Sequence, residues 1–180
     1  MPSHLIYQFH PMSADDLPMV RSWLTAPHVR EWWGEPETEL GYMRDMIEGR
    51  DTTRPFIFSV DSEPVGYIQY WFVGHHQNAN WIAEHPWLSE LPADAVGVDL
   101  TIGEPAWLSR GIGSAVLREF VERLRGLGYR TIVIDPDAVN QRAVRAYEKA
   151  GFRALPALVG RTGDTLIMQY APNLSGPARP

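Results

Sequence analysis

Val96-Gly97-Val98-Asp99-Leu100-Thr101-Ile102 reads as an apolar strand carrying one acid, and Ser109-Arg110-Gly111-Ile112-Gly113-Ser114 follows it as a tight loop that opens an amphipathic helix. A second strand, Arg130-Thr131-Ile132-Val133-Ile134-Asp135, and a second helix, Asn140 to Ala150, come next, and Gly151-Phe152 closes them. This order of strand, glycine loop, helix, strand and helix decides the fold. Helix N-termini leave backbone N–H groups unpaired and carry partial positive charge, so such a loop can cradle a pyrophosphate without a dedicated cationic side chain. Ile112, Val116, Phe120, Leu124 and Leu127 recur on one face, which predicts a helix packed on a sheet with its first-turn amides pointing out of the loop. Arg110 adds a cation beside those donors. No Gly-Lys-Ser/Thr ends the loop and three spaced glycines are lacking, so it is neither a P-loop nor the full dinucleotide fingerprint.

Working outward, Leu5 to Phe9 alternates as an opening strand, and Ser13-Ala14-Asp15-Asp16 supplies an N-cap and acidic first turn for a helix through Leu24. Pro27 to Trp33 reads as a short helical segment, and Glu37 to Gly49 as a helix with Leu40, Met43, Met46 and Ile47 on one face. Phe56 to Val60 and Val65 to Phe72 form a hairpin through Asp61-Ser62-Glu63-Pro64. Gly74 to Ala95 lacks periodicity and is expected to be a long connecting loop, the kind that carries function in compact domains. Arg153 to Ala157 and Thr165 to Tyr170 read as two further strands around Gly160-Arg161-Thr162-Gly163-Asp164. One domain over residues 1–172 is expected, with a flexible tail over 173–180.

Composition narrows the function classes. The chain has 180 residues and no cysteine, which excludes disulfides, cysteine nucleophiles and thiolate metal sites. A formal net charge of −6 disfavours a phosphate-gripping nucleic-acid surface and suits a cationic small substrate. No leader-like start and no run of about 18 apolar residues is found, so no membrane association is expected and a cytoplasmic location is.

The loop resembles the pyrophosphate loop of the GNAT superfamily of acetyl-CoA-dependent N-acetyltransferases, Gln/Arg-x-x-Gly-x-Gly/Ala, although Leu108 stands where Gln or Arg is usual. Asn140 followed by Tyr147-Glu148-Lys149-Ala150-Gly151-Phe152 matches the later Asn…Tyr-Glu-Lys-x-Gly-Phe pattern. Within the superfamily the chain resembles the aminoglycoside 6′-N-acetyltransferases and the related siderophore-type N-acyltransferases. That likeness rests on His28-Val29-Arg30-Glu31-Trp32-Trp33-Gly34, Gly66-Tyr67-Ile68-Gln69, Gly97-Val98-Asp99, Asp135-Pro136 and Arg142-Ala143. The resemblance implies a mixed α/β GNAT fold, a central mixed, splayed β-sheet flanked by helices. It also implies acetyl-CoA as cosubstrate, with no metal, in a monomer or homodimer.

Acyl transfer needs a neutral amine, and a primary amine with a pKa near 10 is mostly protonated at neutral pH, so a local base is useful. Asp99 interrupts an apolar strand, where an unpaired carboxylate is costly, and Gly97 can permit a bulge beside it. Its alternative role is a buried acid paired with an arginine. The resemblance gives Asp99 the reacting amine, binding it and accepting its proton directly or through water. It gives Tyr147 the leaving thiolate as general acid, where the residue alone reads equally as a core tyrosine. Cofactor contacts are expected from Leu100, Ile102, Ser109, Arg110, Gly111, Ile112, Gly113, Ser114 and Asn140. Asn140 also reads as a helix cap. Acceptor contacts are expected from Trp32, Asp99, Asp135 and Asp164. Asp135 can equally be a turn residue before proline, and Asp164 ordinary turn chemistry. One of Trp32 and Trp33 belongs in the core, because adjacent residues cannot share a helix face. Glu31, Glu35, Glu37 and Glu39 read as a solvated acidic rim or as charges that attract a cationic acceptor. His75, His76 and His85 lack metal-ligand spacing. With no cysteine to carry an acetyl group, a ternary complex is expected. The open alternatives are a siderophore-type lysine or hydroxylamine acyltransferase, a protein N-terminal acetyltransferase and a non-catalytic acyl-CoA-binding module.

Overall fold

The computed structural model describes residues 5–172, so the expected tail over 173–180 lies outside the described residues. Among the described residues, seven strands, β1 (Tyr7–Pro11), β2 (Arg54–Val60), β3 (Glu63–Phe72), β4 (Val96–Ile102), β5 (Ile132–Ile134), β6 (Phe152–Ala154) and β7 (Met168–Tyr170), follow the order β1-β2-β3-β4-β5-β7-β6. The chain divides into two compact units: the described residues through Trp71 with Val98–Val116, and Phe72–Gly97 with the described residues from Leu117 onward.

In the first unit, β1 (Tyr7–Pro11) pairs antiparallel with β2 (Arg54–Val60), which pairs antiparallel with β3 (Glu63–Phe72). The register between β2 and β3 slips at Phe58/Ser59, a bulge near the tight turn where Asp61 and Ser62 take positive φ. Three helices lie in sequence between β1 and β2: α1 (Leu17–Thr25), α2 (Pro27–Trp33) and α3 (Pro36–Ile47). Proline stands in the first turn of each, where its missing N–H has no helical partner to lose. Glu35 caps α3 by accepting from the Thr38 amide at 3.1 Å. Val20, Trp23, Leu24, Val29, Leu40 and Met43 from these helices form one buried cluster with Ile57 and Tyr67. Burying each such side chain is worth roughly 1.5–3 kcal/mol.

β4 (Val96–Ile102) contributes to both units. Its last residues lie against β3: the Gly103 and Glu104 amides both donate to the Val65 carbonyl. A Cβ on Gly66 would fall 2.3 Å from the Thr101 carbonyl, so only glycine permits this close approach. The start of α6 (Ile112–Gly126) closes the unit, with Ile112 and Val116 buried.

In the second unit, the parallel register pairs Val96 with Ile132 and Gly97 with Val133, on β5 (Ile132–Ile134). β7 (Met168–Tyr170) runs antiparallel to both β5 and β6 (Phe152–Ala154). Three expected strands are shorter than the sequence suggested. Pro156 starts a 3-10 turn through Leu158, and Leu166 donates to the Pro136 carbonyl instead of extending β7. Leu127 is exposed, not on the packed face, because the helix ends at Gly126 and Gly128 takes positive φ.

The segment from Gly74 to Ala95 is more ordered than the long loop expected. α4 (Val73–His76), α5 (Ala79–Glu84) and a 3-10 turn, Pro86–Glu90, occupy it. Asn78 caps α5, and the Gln77 amide donates to both Leu88 and Leu91 carbonyls at 2.8 and 2.9 Å. These local side-chain bonds satisfy backbone groups that no hydrophobic period would reveal.

Candidate active site

Asp99 is half-buried on β4, and its Oδ2 accepts a 2.9 Å hydrogen bond from Gln69 Nε2 on β3. Gln69 Oε1 in turn accepts from the Tyr67 hydroxyl at 2.5 Å. Tyr67 and Gln69 are two residues apart on one strand, so their side chains share the face that Asp99 joins from β4. Tyr67 is fully buried, with Trp33 edge-on against its ring at a centroid distance of 5.5 Å. Burial, then the charges of Asp99, Glu39 and Asp51, push its hydroxyl well above the ordinary phenol range.

Glu31, Glu35 and Glu37 are exposed, whereas Glu39 is half-buried. Burial first, and Asp99 second, raise its carboxyl above 4.5. Neither Glu39 nor the Tyr67-Gln69 pair was assigned a role from sequence. Glu39 looks like one of several glutamates along Glu31 to Glu39, and the Gly66-Tyr67-Ile68-Gln69 island is marked in the sequence only as part of the family likeness.

The loop after β4 has the backbone that its glycine pattern predicts. Ser109 and Gly111 take φ of 57° and 76°, and nothing lies within 4 Å of a Cβ built on Gly111. Ser109 in this region costs roughly 1 kcal/mol, a strain that buys the tight entry into α6. A Cβ on Gly113 would meet only Ile102, at 3.9 Å. Ser114 is buried and its hydroxyl donates to the Gly111 carbonyl at 3.0 Å. The Arg110 guanidinium lies over the Trp107 ring, 4.4 Å from its centroid, which holds a cation at the loop. This open, amide-rich turn with an attached cation suits an anionic phosphate group. Leu100 and Ile102 are half-buried along β4. The Ile102 carbonyl already accepts from His28 Nε2 at 3.0 Å, since a carbonyl cannot donate and the ring nitrogen must carry the proton. Trp32 is 37% exposed, and Trp33, with the Tyr67 contact, is the core-facing member of the pair.

The remaining expected residues lie in the second unit. Asn140 caps α7 (Gln141–Ala150), accepting from the Ala143 amide at 3.2 Å, and Tyr147 is half-buried about two turns further on. Asp135 is half-buried where β5 ends, and Asp164 is exposed in its turn. Their segments are joined: Ala138 donates to the Asp164 carbonyl at 2.7 Å, and Asp137 bridges to Thr165. The same turn is tied by Arg161, which donates to both Glu90 oxygens. His76 and His85 flank Trp81 in ring contacts, and no three metal-ligating side chains converge among the described residues.

A family model described as an acetyltransferase (GNAT) domain matches residues 13–159. The chain is 30% identical over 165 residues to the aminoglycoside N(6′)-acetyltransferase type 1 of Klebsiella pneumoniae, covering 87% of this chain and 79% of that protein. It is 28% identical over 138 residues to the N(6)-hydroxylysine O-acetyltransferase of Escherichia coli, covering 74% of this chain and 41% of that protein. Among solved structures, the aminoglycoside acetyltransferase AAC(6′)-Ib in complex with ribostamycin and coenzyme A is similar at a TM-score of 0.76 and 27% identity, covering 96% of this chain and 99% of that one.

Proposed function

The chain belongs to the acetyltransferase (GNAT) family, and from that membership we propose that it transfers an acetyl group from acetyl-CoA to a primary amine of a cationic small molecule. The acceptor we infer is the 6′-amine of an aminoglycoside, the class named for its Klebsiella relative. The observation that carries the reading is Asp99, a half-buried carboxylate fixed by Gln69 on an otherwise apolar strand.

In this reading Asp99 binds the ammonium form of the acceptor and takes its proton, freeing the lone pair that attacks the thioester carbonyl. The amides of Arg110 to Ser114 hold the pyrophosphate, and Leu100, Ile102, Ser109 and Asn140 line the rest of the cosubstrate. A backbone N–H near Leu100 stabilises the developing oxyanion. Tyr147 protonates the departing thiolate. A phenol with pKa near 10 donating to a thiolate of pKa near 8.5 works uphill, so the hydroxyl also serves to orient the sulfur. Trp32 offers an exposed ring to the acceptor, and Asp135 and Asp164 are the carboxylates for its other ammonium groups.

The second reading, acylation of a lysine-derived amine or hydroxylamine, is favoured by the likeness to the Escherichia coli hydroxylysine enzyme. Such an acceptor has fewer cationic groups, so Asp135→Asn and Asp164→Asn would cost it little.

The test is thiol release from acetyl-CoA against aminoglycosides, polyamines, lysine derivatives and peptides. We expect turnover with an aminoglycoside, and a loss in kcat/KM of about 10²–10⁴ in Asp99→Asn with acetyl-CoA binding retained. No release with any aminoglycoside refutes the acceptor. An unchanged rate in both Asp99→Asn and Tyr147→Phe refutes the roles given to those residues.

A further inference from the structure

We propose that Tyr67 and Gln69 are positioning residues that hold Asp99 as an aimed carboxylate through a one-way hydrogen-bond relay. The inference deepens the proposed reaction and rests on it only for the role of Asp99.

The direction of the relay is forced by chemistry. A carboxylate can only accept, so Gln69 must present its NH₂ to Asp99, and its carbonyl oxygen is then left facing the Tyr67 hydroxyl. The Tyr67 hydroxyl has one further neighbour, Met46 Sδ at 3.7 Å, a weak acceptor that cannot compete for its proton. Because the phenol is buried among negative charges, it stays a donor throughout the working pH range. Protonation of Asp99 would leave Oδ2 an acceptor only as a neutral carbonyl, which holds the Gln69 NH₂ more weakly than a carboxylate does. The relay therefore favours the ionised form.

Tyr67 on β3 and Glu39 on α3 are titratable groups that feel the Asp99 charge. Of these, Glu39 is the group that interacts with Asp99 as a like charge, and like charges resist simultaneous ionisation.

The experiment compares Gln69→Leu, Tyr67→Phe and Glu39→Gln with the parent enzyme. It reads kcat/KM for the amine against pH at saturating acetyl-CoA, and the ¹³C titration of the Asp99 carboxyl in labelled protein. Gln69→Leu is expected to move the acidic limb upward by about 0.5–1 pH unit, Tyr67→Phe less in the same direction, and Glu39→Gln downward. The KM for acetyl-CoA changes less than about twofold in each. A limb that stays in place while the rate falls overturns the relay, as does movement of all three variants in one direction. Should the parent turn over no amine, the proposed reaction fails while the carboxyl titration still decides the relay. Opposite shifts in Gln69→Leu and Glu39→Gln support it, and coincident curves end it. If Tyr67→Phe does not fold, the other two variants carry the same decision.

Discussion

Glu39 couples the chemistry of Asp99 to the stability of the fold. Its carboxyl is raised above 4.5 by burial and by Asp99, so the folded chain binds that proton more readily than the unfolded chain does. The sign follows from linkage: the destabilisation is absent below 4.5, grows as pH rises, and is complete above the folded value. Glu39→Gln is therefore expected to raise Tm near neutral pH. The gain shrinks to nothing as pH falls toward the ordinary carboxylate range, as thermal melts across pH will check. A Tm difference independent of pH would mean that packing, not charge, explains Glu39. The sequence marks Asp99 clearly, because a lone acid in an apolar strand is conspicuous. It does not mark Glu39, because burial of one glutamate among Glu31, Glu35, Glu37 and Glu39 depends on how α3 packs against Tyr67 and its neighbours.

Among the elements, the turn from β4 into α6 is the most exacting. Gly111 adopts φ of 76° with open space around its missing side chain, so its requirement is conformational and not steric. Gly111→Ala is expected to cost roughly 1 kcal/mol in folding stability. Acetyl-CoA affinity, measured by calorimetry, is expected to weaken about tenfold as the amides around it turn from the phosphate direction. Unchanged affinity would remove this loop from the cosubstrate site. This turn and the Asn140 cap were legible in sequence, since glycine and N-cap chemistry are local. The 74–95 segment was not, because its order comes from Gln77 and Asn78 bonding to backbone across up to 14 residues. The short β6 and β7 also escaped: the expected runs exceed the residues that pair, because Pro156 starts a 3-10 turn and Leu166 donates to the Pro136 carbonyl.

For the whole molecule, the order of elements and the family membership agree on a mixed α/β acetyltransferase. Among the described residues no helix is long and apolar enough to cross a membrane. A net charge of −6 attracts a polycationic acceptor electrostatically, an attraction that weakens with salt. The central claim is that acetyl leaves coenzyme A for an amine of such a molecule. Mass spectrometry and two-dimensional NMR of the product from acetyl-CoA and kanamycin test it most directly. A single acetyl group on the 6′-nitrogen, formed in step with thiol release, is the result expected. Free acetate as the sole product, or unaltered kanamycin after prolonged incubation, would contradict it.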